Sequence, residues 1–556
     1  MEKIWLKSYD PGIPATVETP RFKSLKQMIE HSFEVFAGRD AFTNMGTTLR
    51  FADLDRLSLQ FAAFLQQDLG LKKGDRVAIM LPNVLQYPVA MCGILRAGLI
   101  AVNVNPLYTA RELKHQLKDS GSKAIVILEN FGHTLADVVD DTDVENVILT
   151  NVGDLLKFPK GAIVNFVLKH VKKVVPAHTL GKTISFNDAL KRGAGKTLQE
   201  VDVELTDIAF LQYTGGTTGV SKGAMLSHRN LVYNVAQTEA WQGNVFGGTD
   251  QVVAVCALPL YHIFSLQGNC LVGISQGFLN VMITNPRDFP AFVKELSHYK
   301  FGLFNAVNTL FAALLNTPGF DQLDFSELKV VVGGGMAVQP AVAEQWKAVT
   351  GSNVVQGYGL TETSPASICN KPTAEFSGSI GLPITSTDVI IADDDGNPLP
   401  VGEIGEICIR GPQVMEGYWQ RPEETEKTML PGGWLKTGDV GRMDEDGYVF
   451  IEDRKKDMIL VSGFNVYPNE VENIVVELDG ILEAAAIGVP NPKSGEHVKI
   501  FAVRKHDGVT EQDVLDYCAE NLTNYKRPRE VEFREDLPKT NVGKILRREL
   551  RDEVTD

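Results

Sequence analysis

Cysteine motifs are missing from this sequence. Its six cysteines, Cys92, Cys256, Cys270, Cys369, Cys408 and Cys518, form no CxxC pair and have no histidine at ligand spacing. That excludes a disulfide framework or a zinc site as the organising principle, and buried, reduced thiols in a cytoplasmic protein are expected instead. Positive charge is also short. The 54 Lys and Arg against 70 Asp and Glu leave a formal net charge of −16, which disfavours nucleic-acid binding, because that affinity comes from neutralising phosphates. An anionic ligand must then be held by local donors. At a Debye length of about 8 Å a distant acidic surface is largely screened from such a pocket. The N-terminus "MEKIWLKSYDPGIP" has no apolar stretch of secretory type, the C-terminus has no lipidation motif, and repeats and low-complexity tracts are absent. One long uncharged run lies between Asp250 and Arg287, but Pro259, His262, Gln267, Asn269 and Gln276 interrupt it. It reads as buried strands and helix lining an apolar interior rather than as a membrane span.

What the sequence does contain is enough apolar residue, 44 %, for more than one core in 556 residues. Residues 75–150 alternate buried strands, "DRVAIMLPN" and "KAIVIL", with a helical "YPVAMCGILRAG", the rhythm of an α/β domain with a largely parallel sheet. From about 377 to 452 the texture changes to short strands and tight turns, which suggests a small β-barrel or sheet. The expected fold is therefore α/β: a large N-terminal domain (1–455) of stacked α/β subdomains with that barrel-like part, then a small α+β C-terminal domain (456–556). Within the first, "GAIVNFVLKHVKKVVP" places Ile163, Phe166, Val167, Val171 and Val174 near one helical face, with Lys169, Lys172 and Lys173 mostly off it. Such a basic amphipathic helix suits an anionic membrane surface, and residues 161–175 are the candidate for contact with the inner membrane face. An ordinary packed surface helix is the alternative.

Four segments carry chemistry. "YTGGTTGVSKG" (213–223) follows a predicted buried strand, and Ser227 after it is a candidate helix N-cap. It fails the Walker pattern, because Val220 and Ser221 separate Gly219 from Lys222. Its glycines and hydroxyls still suit a polyphosphate held by backbone N–H groups. "GYGLTET" (357–363) begins like a dinucleotide fingerprint, but Glu362 stands where the third glycine belongs, and a carboxylate facing a pyrophosphate calls for a divalent cation between them. "GGWLKTGD" (432–439) ends in Asp439, suited to ribose hydroxyls. "PKTNVGKILRREL" (538–550) presents Lys544 after a turn glycine.

Together, and in this order, these segments resemble the adenylate-forming superfamily of acyl-CoA synthetases, luciferases and peptide-synthetase adenylation domains. "LPLYHIFSL", "DRKKDMILVSGFNVYPNEVE" and "GGWLKTGDVGRMDEDGYVFIEDRKK" narrow the resemblance to the branch that activates long-chain fatty acids. It implies ATP, Mg²⁺ and CoA as cofactors and a long-chain fatty acid as substrate. Tyr213, Thr214, Gly215, Gly216, Thr217, Thr218, Gly219 and Lys222 would grip the ATP phosphates, with Thr214 and Glu362 at the metal. Adenine would lie near Gly334, Gly335, Gln356, Gly357, Tyr358 and Gly359, with Tyr358 stacking and Thr361 touching the α-phosphate. Asp439 and Arg454 would hold the ribose, and Lys544 would stabilise charge as the fatty carboxylate attacks. Lys456 would be the hinge of a rotating C-terminal domain, with Ser462 and Gly463 at the CoA tunnel. His262, counted with the catalytic residues but not as a base, would border the acyl pocket together with Leu266. A homodimer is one assembly compatible with this reading.

Three rivals are to be weighed, one of them a non-catalytic fatty-acid carrier, which would not need Lys544, Asp439 and Glu362 all in place. "GISQG" (273–277) matches the GxSxG nucleophile elbow, with Ser275 as the candidate nucleophile of an esterase or thioesterase. A fatty-acyl-AMP ligase would keep the adenylation and omit the CoA step.

Overall fold

A computed structural model describes residues 2–17, 21–214, 221–462, 464–491, 494–540 and 543–555. Two large sheets form the body of an α/β fold. The first has seven strands in the order Thr183–Ser185, Asn146–Thr150, Ala124–Leu128, Arg76–Met80, Ile100–Asn103, Ile208–Thr214 and Lys222–Ser227. All its pairings are parallel except the last, the hairpin that carries the Gly/Thr loop. The second sheet has nine strands. At its centre Leu279–Met282, Val253–Cys256, Leu303–Ala306, Val330–Gly334 and Val354–Gly359 run parallel, and short antiparallel strands close both edges.

These strands form where the residues require burial on both faces. Ala124–Leu128 is buried at every position, as expected for a central parallel strand covered by helices. The helix Gln86–Arg96 is also buried throughout, and the chain leaves it through Gly98 at φ +71°. Ser227 caps the helix His228–Gln242: its hydroxyl accepts the Asn230 N–H, while the Asn230 side chain accepts the Ser227 N–H. The uncharged run after Asp250 supplies two core strands and a helical stretch, Ile263–Gln276, that turns through a π-type segment over Leu266–Leu271. No described helix is long and apolar enough to cross a membrane. Trp346 with Phe304, Phe311 and Phe320 anchors the core behind the nine-stranded sheet, ring centroids 4.7–5.5 Å apart. Burial of each such ring contributes about 1.5–3 kcal/mol.

Where a barrel or sheet is expected, five antiparallel strands form a sheet, including Gly405–Arg410, Trp434–Met443 and Val449–Arg454. The smaller C-terminal unit is α+β. Its own sheet is built on Ile481–Asn491 and Gly495–Arg504, with helices Pro468–Glu477, Glu511–Asn521 and Arg547–Thr555. All six cysteines are free.

Candidate active site

The Gly/Thr loop leaves the seven-stranded sheet from Thr214 and returns at Lys222, which pair across the hairpin. Gly215, Gly216, Thr217, Thr218 and Gly219 lie outside the described residues. Both feet of the loop are anchored by residues that sequence reasoning missed, chiefly in the segment 415–424. It runs along the return strand: Met225 N–H donates to Gly417 O (2.8 Å), Glu416 N–H to Met225 O (3.0 Å), and Trp419 N–H to Gly223 O (2.8 Å). The Lys222 ammonium pairs with Glu424 at 2.5 Å. The Tyr213 hydroxyl donates to Asp119 at 2.7 Å, and the other Asp119 oxygen holds Arg421 at 3.0 Å. Burial and Asp119 together push the Tyr213 phenol upward, so it stays a neutral donor. Two of the side chains expected to reach the phosphates, Tyr213 and Lys222, are thus already partnered at their own strands, and Thr214 is half-buried. No local motif announces Asp119 or Glu424; only the fold brings them to the loop.

The second group of residues converges from adjacent parallel strands, whose C-terminal ends are the usual place for a ligand in α/β sheets. Gly334 lies beside Gly357 in register. A Cβ on Gly334 would stand 2.9 Å from the Phe264 ring, and one on Gly359 only 1.6 Å from the Pro365 carbonyl oxygen, so neither site admits a side chain. Gln356 is turned inward: its amide donates to Ser379 O (3.1 Å) and accepts Val338 N–H (3.0 Å), which shapes the turn after Gly335. Beyond Gly359 the chain makes a short turn, Thr361–Thr363, that projects Glu362. One Glu362 oxygen accepts the Tyr418 hydroxyl at 2.6 Å. Tyr358 donates to Asp439 at 2.5 Å, and Arg454, directly across the β-ladder, meets the other Asp439 oxygen at 3.2 Å. Asp439 is 4 % exposed, so its charge is held by these two partners.

Lys544 arrives from the small unit. Gly543, at φ +82°, turns the chain beside Thr309, and the Lys544 side chain lies along Gly335: a Cβ there would sit 3.3 Å from its Cε. Removal from water, aided by Arg454, pulls the Lys544 amine down to about 8, while Asp439 and Glu362 act in the opposite direction. Three residues on, Arg547 makes a two-pronged contact with Glu472 (2.8 and 2.6 Å) and donates to Asn469 (2.6 Å). Arg551 reaches Asp457 at 2.7 Å. The lysine turn is thereby fastened to the helix Pro468–Glu477 and to the segment just past Lys456, which is exposed.

His262 caps the short helix that follows it, its Nδ1 accepting Phe264 N–H at 3.4 Å. Burial, with the nearby Lys544 charge, lowers its imidazole to about 3, so the ring is neutral across the physiological range. Leu266 is wholly buried in the large core. Ser462 lines a cavity of about 280 Å³ on the small unit together with His497, Tyr525, Arg527 and Arg529; Gly463 lies outside the described residues. Ser275 sits inside the helical segment Val272–Gln276, not on a strand-to-helix elbow, and donates to the half-buried Glu239. The geometry of a nucleophile elbow is therefore absent at GISQG.

The donor set fits magnesium. Among the described residues no group of three His, Cys, Asp or Glu could cage a metal. A lone carboxylate, Glu362, with a threonine hydroxyl at Thr214, suits an ion that keeps its waters and takes its remaining ligands from phosphates.

Residues 29–419 match the AMP-binding enzyme family, and residues 470–544 match the C-terminal domain of AMP-binding enzymes. The chain belongs to the AMP-binding enzymes. Within that family it is 56 % identical over 555 residues to a long-chain-fatty-acid–CoA ligase of Yersinia pestis, covering 100 % of this chain and 98 % of that one. It is 55 % identical over 555 residues to the ligase of the same description from Salmonella typhimurium (100 % and 99 % covered). The fold is similar to the crystal structure of the anthranilate CoA ligase AuaEII in complex with anthranoyl-AMP, with a TM-score of 0.84 at 26 % identity over 97 % of this chain and 98 % of that one.

Proposed function

We propose that the protein is an AMP-forming acid–thiol ligase that joins a long-chain fatty acid to CoA. The observation that carries this reading is the meeting of Lys544 with Gly335, within the electrostatic reach of Asp439, Arg454 and Glu362, in a chain similar along its whole length to such ligases. A carboxylate is a poor electrophile, and its oxygen must become part of a leaving group before a thiol can displace it. ATP supplies that group. The fatty carboxylate attacks the α-phosphorus, pyrophosphate leaves, and the CoA thiol then displaces AMP from the acyl-adenylate. Magnesium, when bound, would neutralise phosphate charge.

The chain's own residues do the rest. The Gly/Thr loop and Lys222 grip the triphosphate, with Lys222 exchanging Glu424 for phosphate oxygens. Asp439 and Arg454 orient the ribose, Tyr358 and the glycines of both strands bound the adenine, and Thr361 contacts the α-phosphate. Glu362 and Thr214 hold the metal. Lys544 meets the developing negative charge. His262 borders the acyl and thiol pockets as a neutral ring, and Leu266 belongs to the acyl wall. We place the domain boundary at 455/456, with Lys456 as the hinge about which the small domain rotates between the two half-reactions. CoA would enter past Ser462 and Gly463, and Arg527 and Arg529 in the adjoining cavity suit its phosphates. Oleate, ATP and CoA supplied to the pure protein should yield AMP and oleoyl-CoA in equal amounts by mass spectrometry. Accumulation of oleoyl-AMP alone would establish the adenylating ligase without a CoA step, and release of no AMP would overturn the reading altogether.

The protein also associates, in this proposal, with an anionic membrane surface through residues 161–175, with Phe158 just ahead of them. The apolar stripe faces outward at Val171 (65 % exposed), Phe166 (60 %) and Ile163 (56 %), and Phe158 in the turn before the helix is 90 % exposed, while Val164 and Leu168 pack against the core. From Leu155 to Asn187 there are six lysines and no acidic residue, in a chain of net charge −16. Such a face joins apolar insertion to electrostatic attraction. Co-sedimentation with vesicles containing anionic lipid should be strong at low salt and lost in a Phe158→Ser/Phe166→Ser variant. Equal sedimentation of the two proteins would dismiss this surface.

A further inference from the structure

Glu362 is the carboxylate through which the triphosphate site would hold its cation, and a carboxylate on a three-residue turn has rotational freedom to lose. The structure shows what removes that freedom. Met415 N–H donates to the Glu362 carbonyl at 2.8 Å, and the Tyr418 hydroxyl donates to Glu362 Oε1 at 2.6 Å, so backbone and side chain are held by residues three positions apart on one segment. Tyr418 is itself fixed. It is 8 % exposed, its N–H donates to Thr425 Oγ1 at 2.9 Å, and it forms an antiparallel bridge with Ala224 on the strand returning from the phosphate loop. The Lys222 ammonium stands 5.2 Å from the centre of its ring. The same segment continues to Glu424, the partner of Lys222.

We infer that Tyr418 is a positioning residue for the adenylation step, orienting Glu362 so that its second oxygen faces the cation on the triphosphate, and tying that orientation to the strand that carries Lys222. The inference rests on the reading of Glu362 as a magnesium contact. A group that orients a metal-binding carboxylate works through metal affinity, and loss of such an outer partner characteristically costs about 10- to 100-fold in affinity or activity. Phenylalanine is the informative replacement. It keeps the ring, the cation–ring contact and the backbone pairing, and removes only the hydroxyl that meets Glu362.

The experiment uses the full-length protein with a non-hydrolysable ATP analogue and Mn²⁺ as a spectroscopic probe, read by electron paramagnetic resonance. For Tyr418→Phe, Mn²⁺ affinity in the analogue complex should fall about 10-fold, and the Mg²⁺ concentration giving half-maximal oleate-dependent ATP–pyrophosphate exchange should rise by a similar factor. Conversion of supplied oleoyl-AMP and CoA to oleoyl-CoA should stay within about twofold of the parent, because that step involves neither the triphosphate nor its cation. That retained half-reaction also reports that the variant is folded. Unchanged Mn²⁺ affinity, or equal loss of both half-reactions, overturns the positioning role. A Glu362→Gln variant separates the two levels. If it loses Mn²⁺ affinity while Tyr418→Phe does not, only the role of Tyr418 falls. If neither loses it, the assignment of Glu362 falls first.

Discussion

Replacing Lys544 with alanine should lower oleate-dependent ATP–pyrophosphate exchange by about 100-fold or more, the usual loss when a charge-stabilising donor is taken from a transition state. Thioester formation from supplied oleoyl-AMP and CoA should persist at near the parent rate, because this lysine has no partner in that reaction. Equal loss in both assays would remove Lys544 from its assigned place. The same side chain gives a pH signature. Its amine is held at about 8 by removal from water and by Arg454, so its positive charge is present below that pH and is lost as pH rises through it. In the exchange reaction, kcat/KM should therefore fall above pH 8, since that parameter reports the free enzyme. The Lys544→Ala protein should lack this alkaline limb.

Gly359→Ala should be nearly as damaging, for a reason of shape. The new methyl carbon would fall 1.6 Å from the Pro365 carbonyl oxygen and 3.3 Å from Thr363 Oγ1, a hydroxyl that itself donates to Pro365 O at 2.6 Å. The overlap is with backbone, so the turn Thr361–Thr363 must shift, and Glu362 with it. A displacement of about 1 Å at a reacting centre can cost about 100-fold in rate, and overpacking of this kind destabilises by roughly 1–3 kcal/mol. Exchange assays and thermal melts on Gly359→Ala would show both effects. Gly38→Ala is the matching control, because a Cβ at Gly38 meets nothing within 4 Å. Parent-like exchange in Gly359→Ala would contradict the close packing on which the site depends.

What could be read from the sequence was local. The Ser227 cap, the buried strand into the Gly/Thr loop and the glycine after the helix at Arg96 are set by neighbouring residues, and each appears in the structure. The order of Glu362, Asp439 and Lys544 could be read because their motifs are contiguous. Their partners could not. Asp119 lies 94 residues from Tyr213 and Glu424 lies 202 from Lys222, with no periodicity linking either pair. The helix at 160–166 shows a second limit. Its spacing reveals an apolar stripe, but spacing alone does not say whether that stripe meets the core. Here Val164 and Leu168 turn inward, while Ile163, Phe166, Val171 and Val174 of the predicted stripe turn out and Val167 is half-buried.

The two-pronged grip of Arg547 on Glu472 gives the reaction a discrete character. Because the lysine turn is bolted to the helix Pro468–Glu477, the positive charge at Gly335 cannot drift away by flexing a few bonds near Lys544. In the proposed rotation it would leave together with the small domain that carries it. The site would then be either fully equipped for adenylation or fully stripped for it, and a half-withdrawn lysine, able to do neither task well, is a pose that this fastening would disfavour.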